Sequence, residues 1–467
     1  MTKYTYINGL LNREKEMAIG TEKLNQNNNE HNKTLHNYLK TTEWYKRHET
    51  IMSLECEEYK HDILFILRKH LFHLEDKISK LLNKYSSRVS LHFTAKNLIK
   101  QFIPELEKIM ERTVVFDFRI VNKGKKFNEY LDLLKDNQIE IFYKKYPELS
   151  RILSIRLGQI LDNLESMLAN INNYDEKIKD IFFNKDIQLE IVSIKLSNSD
   201  RHNKGKNVYF LTFNDGVELV YKEKDLRVVS RYTQFVNYLI HKYNLDLYYP
   251  PGLYEKGFTI ERCLSDEEIT TRENIPKYFY RFGQLLGLMY ILNGKDLHFE
   301  NVIIKNDYPV PIDLEALIVP LPNKRVETVE QKVLHHIKQS IIQTGLIPDA
   351  NTIVKDIDTS LFNQNRETQI EIDELQDRNK DSMRIEKRKV TYNVNNHYVK
   401  NGGEIFKYTG YLKDILEGLE FFLTIVLNHK SDLKKMIERS FNDLYCRVIP
   451  ANTQVYNEIL IDSLHPK

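Results

Sequence analysis

Residues 187–223 run IQLEIVSIKLSNSDRHNKGKNVYFLTFNDGVELVYKE, and the period of this stretch decides the fold class. Apolar side chains alternate with polar ones through IQLEIVSIKLS, and VYFLTF and VELVYKE follow as two more strand-like runs. Asn214, Asp215 and Gly216 between the last two supply turn chemistry, so the stretch predicts an antiparallel hairpin or meander.

Outward from it the period lengthens to that of helices. Upstream, Leu149, Leu153, Leu157, Ile160, Leu161, Leu164, Met167, Leu168 and Ile171 recur at helical spacing, which predicts a segment with one face on a core. The first third reads mainly as helix, apart from an Asn-rich stretch, Asn25 to Lys33, that reads as a surface loop or disordered connection. Downstream, VVSRYTQFVNYLIHKY and YRFGQLLGLMYILNG read as helices, the second stopped by Asn293 and Gly294. A short polar loop comes next, then two short strands, NVIIK and VPIDLEAL, turned by Asn306, Asp307, Tyr308 and Pro309. Residues 350–405 are polar and strongly charged, which predicts a mobile loop or insertion. Apolar periodicity returns in YLKDILEGLEFFLTIVL. The fold class is therefore α+β, with a helical region over 1–140, a core over 141–330 and a further region over 331–467.

Bulk composition narrows the partners. A chain of 467 residues with 41% hydrophobic content can bury a sizeable core and has length for two to four domain-sized units. Lys plus Arg total 68 against 66 Asp plus Glu, so no global field favours nucleic acid, and a charged ligand must be bound locally. Cys56, Cys263 and Cys446 are far apart and form no metal-ligand spacing, which suits a reducing compartment. The amino terminus lacks a long apolar core, and the longest apolar run, near Phe421 to Leu427, is too short to span a bilayer. A cytoplasmic location without a membrane span is the expectation.

Strands followed by helices, then a loop with an Asp, then a hairpin with a second Asp, is an order that can assemble a phosphotransfer site. That chemistry needs a cation on phosphates, oxygen ligands for a metal and a positioned group near the attacking hydroxyl. Lys222, at the end of VELVYK, could supply the ammonium. Asp296 and His298 open the loop DLHFEN and Asn301 closes it, a spacing that suits a base followed by a metal ligand. Asp313 in PIDLEAL would give the main metal carboxylate, with Glu315 on the same strand face. Each element alone has a bland reading, a solvated strand lysine or a loop with an N-cap aspartate; their order and separation favour the phosphotransferase.

Four motifs in order, SNSDRHNKGKNVYFLTFNDGVELVYKEKDL, DLHFENVIIKNDYPVPIDLEAL, QTGLIP and CRVIPANTQVYNEILIDSLHP, resemble the dehydratase domain of class II (LanM-type) lanthipeptide synthetases. The resemblance covers roughly residues 140–467, and 1–140 match only in being helical. It implies a two-lobed core similar to lipid kinases with added helical elements, with strands near 187–223, a catalytic loop at 296–301 and a metal strand at 310–317. It implies an enzyme that uses ATP and Mg²⁺ to phosphorylate Ser and Thr of a leader-bearing ribosomal precursor peptide, then eliminates phosphate to leave dehydroalanine or dehydrobutyrine. By motif, Lys222, Asp296, His298, Asn301 and Asp313 would serve phosphoryl transfer, and Gly205 would lie in the nucleotide loop. Asp200, His202, Arg447 and Thr453 would serve elimination, where a base, an anion grip and donors to the leaving group are needed.

The chain departs from that family at three places. Glu223 and Lys224 follow Lys222 where a basic, Pro-containing sequence is usual, and Ala451 stands where a second Arg is usual. Lys467 comes directly after SLHP, with no Cys and His set for a zinc-dependent cyclase. The expectation is a stand-alone dehydratase whose rings a separate cyclase closes, the alternative a truncated gene product. A kinase without elimination and a pseudoenzyme that binds leader peptide or nucleotide are the rival functions.

Overall fold

The computed structural model describes residues 29–56, 62–90, 92–121, 126–135, 138–183, 188–197, 205–320, 328–337, 339–348, 360–362, 367–393 and 398–442, with isolated positions 14, 15, 18, 124, 444, 455 and 459. Helices open the chain: α1 (Asn29–Leu39), α2 (Glu43–Met52), α3 (Arg68–Lys84), α4 (Ala95–Phe116), α5 (Phe127–Asp132), α6 (Gln138–Lys145), the long α7 (Pro147–Asn173) and α8 (Asp175–Phe182). The Asn-rich stretch is thus helical from Asn29 onward, because Leu35 and Leu39 gain burial beside Trp44 and Tyr45 that outweighs weak local propensity.

The alternating stretch forms β1 (Ile191–Leu196), β2 (Val208–Phe213) and β3 (Glu218–Lys222), an antiparallel meander as its period requires. After α9 (Arg227–Tyr243), a hairpin of β4 (Gly252–Glu255) and β5 (Phe258–Arg262) completes a five-stranded sheet in the order β1-β2-β3-β5-β4. One face of that sheet, with Ile194, Tyr209, Leu211, Leu219, Tyr221 and Ile260, shares a single hydrophobic core with α3, α4 and α7.

A second core gathers α9, α10 (Asn274–Ile291) and the hairpin β6 (Val302–Lys305) and β7 (Tyr308–Pro311). Beyond α11 (Val329–Ile337), the ribbon of β8 (Glu367–Gln376) and β9 (Arg384–Asn393), and the short pair β10 (Val399–Asn401) and β11 (Glu404–Phe406), it also takes in α12 (Leu412–Asn428) and α13 (Lys430–Ser440). Helix α12 lies so close on α10 that a Cβ at Gly418 would fall on the carbonyl oxygen of Tyr280. The mixture of helix and antiparallel sheet is α+β, as the sequence period predicts. No helix among the described residues is long and apolar enough to cross a membrane.

Three expectations are corrected. VPIDLEAL is not one strand: β7 stops at Pro311, and Asp313 and Glu315 follow it in irregular backbone. The Ile312 amide donates to the Asn301 carbonyl at 2.9 Å and closes the base of the hairpin. Its turn is narrower than expected, with only Asn306 and Asp307 in the left-handed region, φ +52° and +64°, the two-residue geometry that suits Asn and Asp. Nor is 350–405 one loop, since 367–393 build the β8–β9 ribbon with ten-residue strands. Its polar sequence hides the strands, since the register sets charged residues opposite one another, Glu371 opposite Lys389 and Asp373 opposite Lys387. Such pairs contribute about 0.2–1 kcal/mol each, so a ribbon alone is marginal. Its tip is anchored instead: Met383 is fully buried in the first core, Arg378 pairs with Asp62 and Glu107, and Asn379 accepts from the Ile63 amide.

Candidate active site

Helix α10 delivers the loop 295–301 after Asn293 and Gly294 turn the chain, the Gly294 amide returning to the Met289 carbonyl at 2.8 Å. Backbone bonds then fix the loop from two sides, Lys295 to the Ala316 carbonyl and Leu297 to the Thr344 carbonyl, both 2.9 Å. Thr344 belongs to the QTGLIP segment, and the next residue, Gly345, has φ +81° and would bring a Cβ within 3.1 Å of the Leu297 amide nitrogen. A side chain there would collide with the loop, which is the physical reason for glycine. Asp296 itself sits at φ +66°, a sparsely populated conformation that Asp tolerates better than most residues and that marks functional loops.

Asn301 closes the loop. Its side-chain amide donates to the Asp296 carbonyl at 2.7 Å and lies 3.2 Å from His298 Nε2. The Glu300 amide donates to His298 Nδ1 at 3.3 Å, and His298 Nε2 stands 3.9 Å from Asp296 Oδ1. Asp296, His298 and Asn301 are therefore one hydrogen-bonded unit.

Between the sheet and the second core lies a cleft of about 580 Å³, a size that suits a small ligand. Val208, Phe210 and Val220 line it from the sheet and Leu264, Pro311 and Ile312 from the other side, with Lys222, Asn301 and Asp313 all on its wall. The Lys222 ammonium donates to the Ile312 carbonyl at 3.0 Å and pairs with Glu261 Oε2 at 3.0 Å. Burial alone would lower it, but the charges of Glu261, Asp313 and Glu315 outweigh burial and hold it well above the ordinary lysine value. Burial pushes the Asp313 carboxyl up, against the pull of Lys222 and with the push of Glu315. Asp313 Oδ1 is buried and has no hydrogen-bond partner among the described residues.

The remaining expected site residues are placed differently. Glu315 is buried and forms an ion pair with Lys224. Gly205, φ +67°, stands before β2, its carbonyl accepting from Arg156 at 2.8 Å and Asn163 at 3.0 Å, so it anchors the β1–β2 connection to α7. Asp200, His202, Arg447 and Thr453 lie outside the described residues.

Three cleft residues escaped the sequence reading: Glu261, Tyr249 and Tyr254. The signal for Tyr254 and Glu261 was LYEKGFTIER, whose Gly257 turns the β4–β5 hairpin at φ +100°, while Tyr249 lies just before it; only the sheet order, which inserts β5 beside β3, brings Glu261 to Lys222.

The oxygens of Asn301 and Asp313, with Asp313 Oδ1 orphaned and buried, are the donor set a hard divalent cation takes. Among the described residues no cluster of three or more His, Cys, Asp or Glu could hold a metal alone, so further ligands would have to come from a bound anion.

The chain belongs to the family described as Domain of unknown function (DUF4135), whose model matches residues 146–467, from the start of α7 onward. It is also similar to the lacticin 481/lactococcin biosynthesis protein LcnDR2 of Lactococcus lactis subsp. lactis, at 24% identity over 378 residues that take in 73% of this chain. The chain spans 40% of the length of that curated relative.

Proposed function

We propose that the chain takes part in lanthipeptide maturation as a kinase-like enzyme, phosphorylating Ser and Thr of a precursor peptide from ATP and Mg²⁺ and then eliminating phosphate. The observation that carries this reading is the convergence of Lys222, Asn301 and Asp313 on one cleft, with a buried Asp313 oxygen left without a partner. Similarity to a lantibiotic biosynthesis protein supports a precursor peptide as the substrate.

In this reading Lys222 grips nucleotide phosphates, and Asn301 and Asp313 hold the cation, which when bound neutralises charge on the phosphate oxygens. Asp296 receives the proton of the attacking hydroxyl, and His298 and Asn301 keep its loop in place through the contacts above. Asp200 and His202 with Arg447 and Thr453 then remove the α proton and take up the departing phosphate, and a separate protein closes any rings. In this reading the sheet with the first core and the hairpin with the second core are the two lobes, and the cleft they wall holds the nucleotide.

The test is incubation with ATP, Mg²⁺ and a Ser/Thr-rich precursor peptide, read by mass spectrometry. Loss of one water per modified residue supports the full reaction, and retained phosphate limits the chain to the kinase step. A peptide of unchanged mass contradicts both.

A further inference from the structure

Two acidic side chains flank Lys222, and their surroundings differ. Glu261 is saturated: Oε2 pairs with the ammonium at 3.0 Å, and Oε1 accepts from the Tyr254 hydroxyl at 3.1 Å and the Tyr249 hydroxyl at 3.4 Å. Asp313 is open, with Oδ1 buried and lacking a hydrogen-bond partner among the described residues. A carboxylate whose oxygens are all engaged is poorly suited to enter a metal's coordination shell, whereas a desolvated oxygen without a donor is stabilised by acquiring a cation.

The strand register explains how Glu261 reaches its place. Glu261 pairs with Val220 across β3 and β5, and Lys222, two residues along β3, points to the same face. The two are diagonal neighbours on that face, within reach of long side chains. Both tyrosine hydroxyls stay protonated as donors, since burial first and the Glu261 charge next raise them far above the ordinary tyrosine value.

We propose that Glu261 is a positioning residue: locked by Tyr249 and Tyr254, its carboxylate steers the Lys222 ammonium against the Ile312 carbonyl, leaving Asp313 open for the cation. This rests on the phosphotransfer reading and adds a division of labour between the two acids. An ammonium has three donors; among the described residues Glu261 and Ile312 take two, and the third remains for a phosphate oxygen. Loosening Glu261 would cost orientation more than nucleotide affinity, because the charge of Lys222 stays while its aim is lost.

A double-mutant cycle on the full chain tests the proposal. Glu261→Gln should lower kcat roughly 30-fold while nucleotide affinity moves less than about threefold, and Glu261→Asp should recover part of the loss. Tyr254→Phe, which removes one of the two hydroxyl donors, should lower kcat about threefold to tenfold. Because Glu261 acts through Lys222, the Lys222→Ala/Glu261→Gln double variant should match Lys222→Ala alone within about threefold. A further loss of about 30-fold on adding Glu261→Gln to Lys222→Ala would overturn the proposal, since a ligand or a fold determinant behaves additively.

If the native chain shows no phosphotransfer, the parent reading fails, and crystal structures still decide the positioning role. Displacement of Lys222 Nζ from the Ile312 carbonyl in Glu261→Gln supports the proposal, and an unmoved ammonium contradicts it.

Discussion

The Lys222 ammonium donates to the carbonyl oxygen of Ile312 at 3.0 Å, so the last residue of β3 is bonded to the residue immediately before Asp313. That one contact ties the sheet to the β6–β7 hairpin across the cleft. Strand β3 belongs to the core shared with the amino-terminal helices, and β7 to the core around α10.

Asn301 lines the cleft and donates its side-chain amide to the Asp296 carbonyl. Asn301→Asp keeps an oxygen ligand but removes the donor and adds a negative charge, so the Asp296 loop loses its tie. Phosphorylation should fall about 100-fold with little change in melting temperature, measured by peptide phosphorylation and by circular dichroism. Activity close to native would remove the Asn301 contact from the mechanism.

Acid should weaken the amino-terminal helices through buried histidines. Burial lowers His48 and His73 to about 4, and it takes His70, which also faces His48 and His73, well below the ordinary value. His48 is also influenced by Glu140 and Lys144, and His73 by Lys77, Arg47, Asp76 and Lys80. Each stays neutral when folded but charges readily when unfolded, so its contribution is complete above the unfolded value near 6.5 and is lost as pH falls toward 4. For His48 the difference is about 2 kcal/mol at pH 5. Urea unfolding at pH 7 and pH 5 should show a large loss for the native chain and a smaller one for His48→Gln. Equal losses would mean that His48 does not set the acid response.

The contact between α10 and α12 makes Gly418 a sensitive position. Alanine there gains up to about 1 kcal/mol of helix propensity. Its methyl group meets the Tyr280 carbonyl oxygen, and overpacking of this kind costs about 1–3 kcal/mol. The steric cost should win, so Gly418→Ala lowers the melting temperature, whereas Gly410→Ala, with nothing within 4 Å of the added Cβ, leaves it unchanged. Scanning calorimetry on both variants checks this, and an equal or higher melting temperature for Gly418→Ala would contradict the packing.

The meander was legible because Ile191, Ile194, Tyr209, Leu211 and Phe213 face a core and leave a period in the chain. Helices α9, α10 and α12 were legible for the same reason. The β8–β9 ribbon was not, because its strands are charged and its tip is anchored by Met383, neither of which makes an apolar rhythm. Among the cleft residues, Lys222, Asn301 and Asp313 could be picked out by residue type and order, while Asp296 stands in the neighbouring loop and not among the lining residues. Glu261 could not, since its role depends on β5 lying between β3 and β4, a fact of topology. Glu315 shows the converse: with β7 ending at Pro311, the alternation that put it on a strand face with Asp313 has no strand to act on.

In the proposed reaction Asp313 holds a divalent cation against a nucleotide in this cleft. Titration calorimetry of ATP into the native chain and into Asp313→Asn, each with and without Mg²⁺, tests it most directly. Mg²⁺ should strengthen ATP binding at least tenfold in the native chain and have no such effect in Asp313→Asn. An equal dependence on Mg²⁺ in the two proteins, or no binding of ATP by the native chain, would contradict the account.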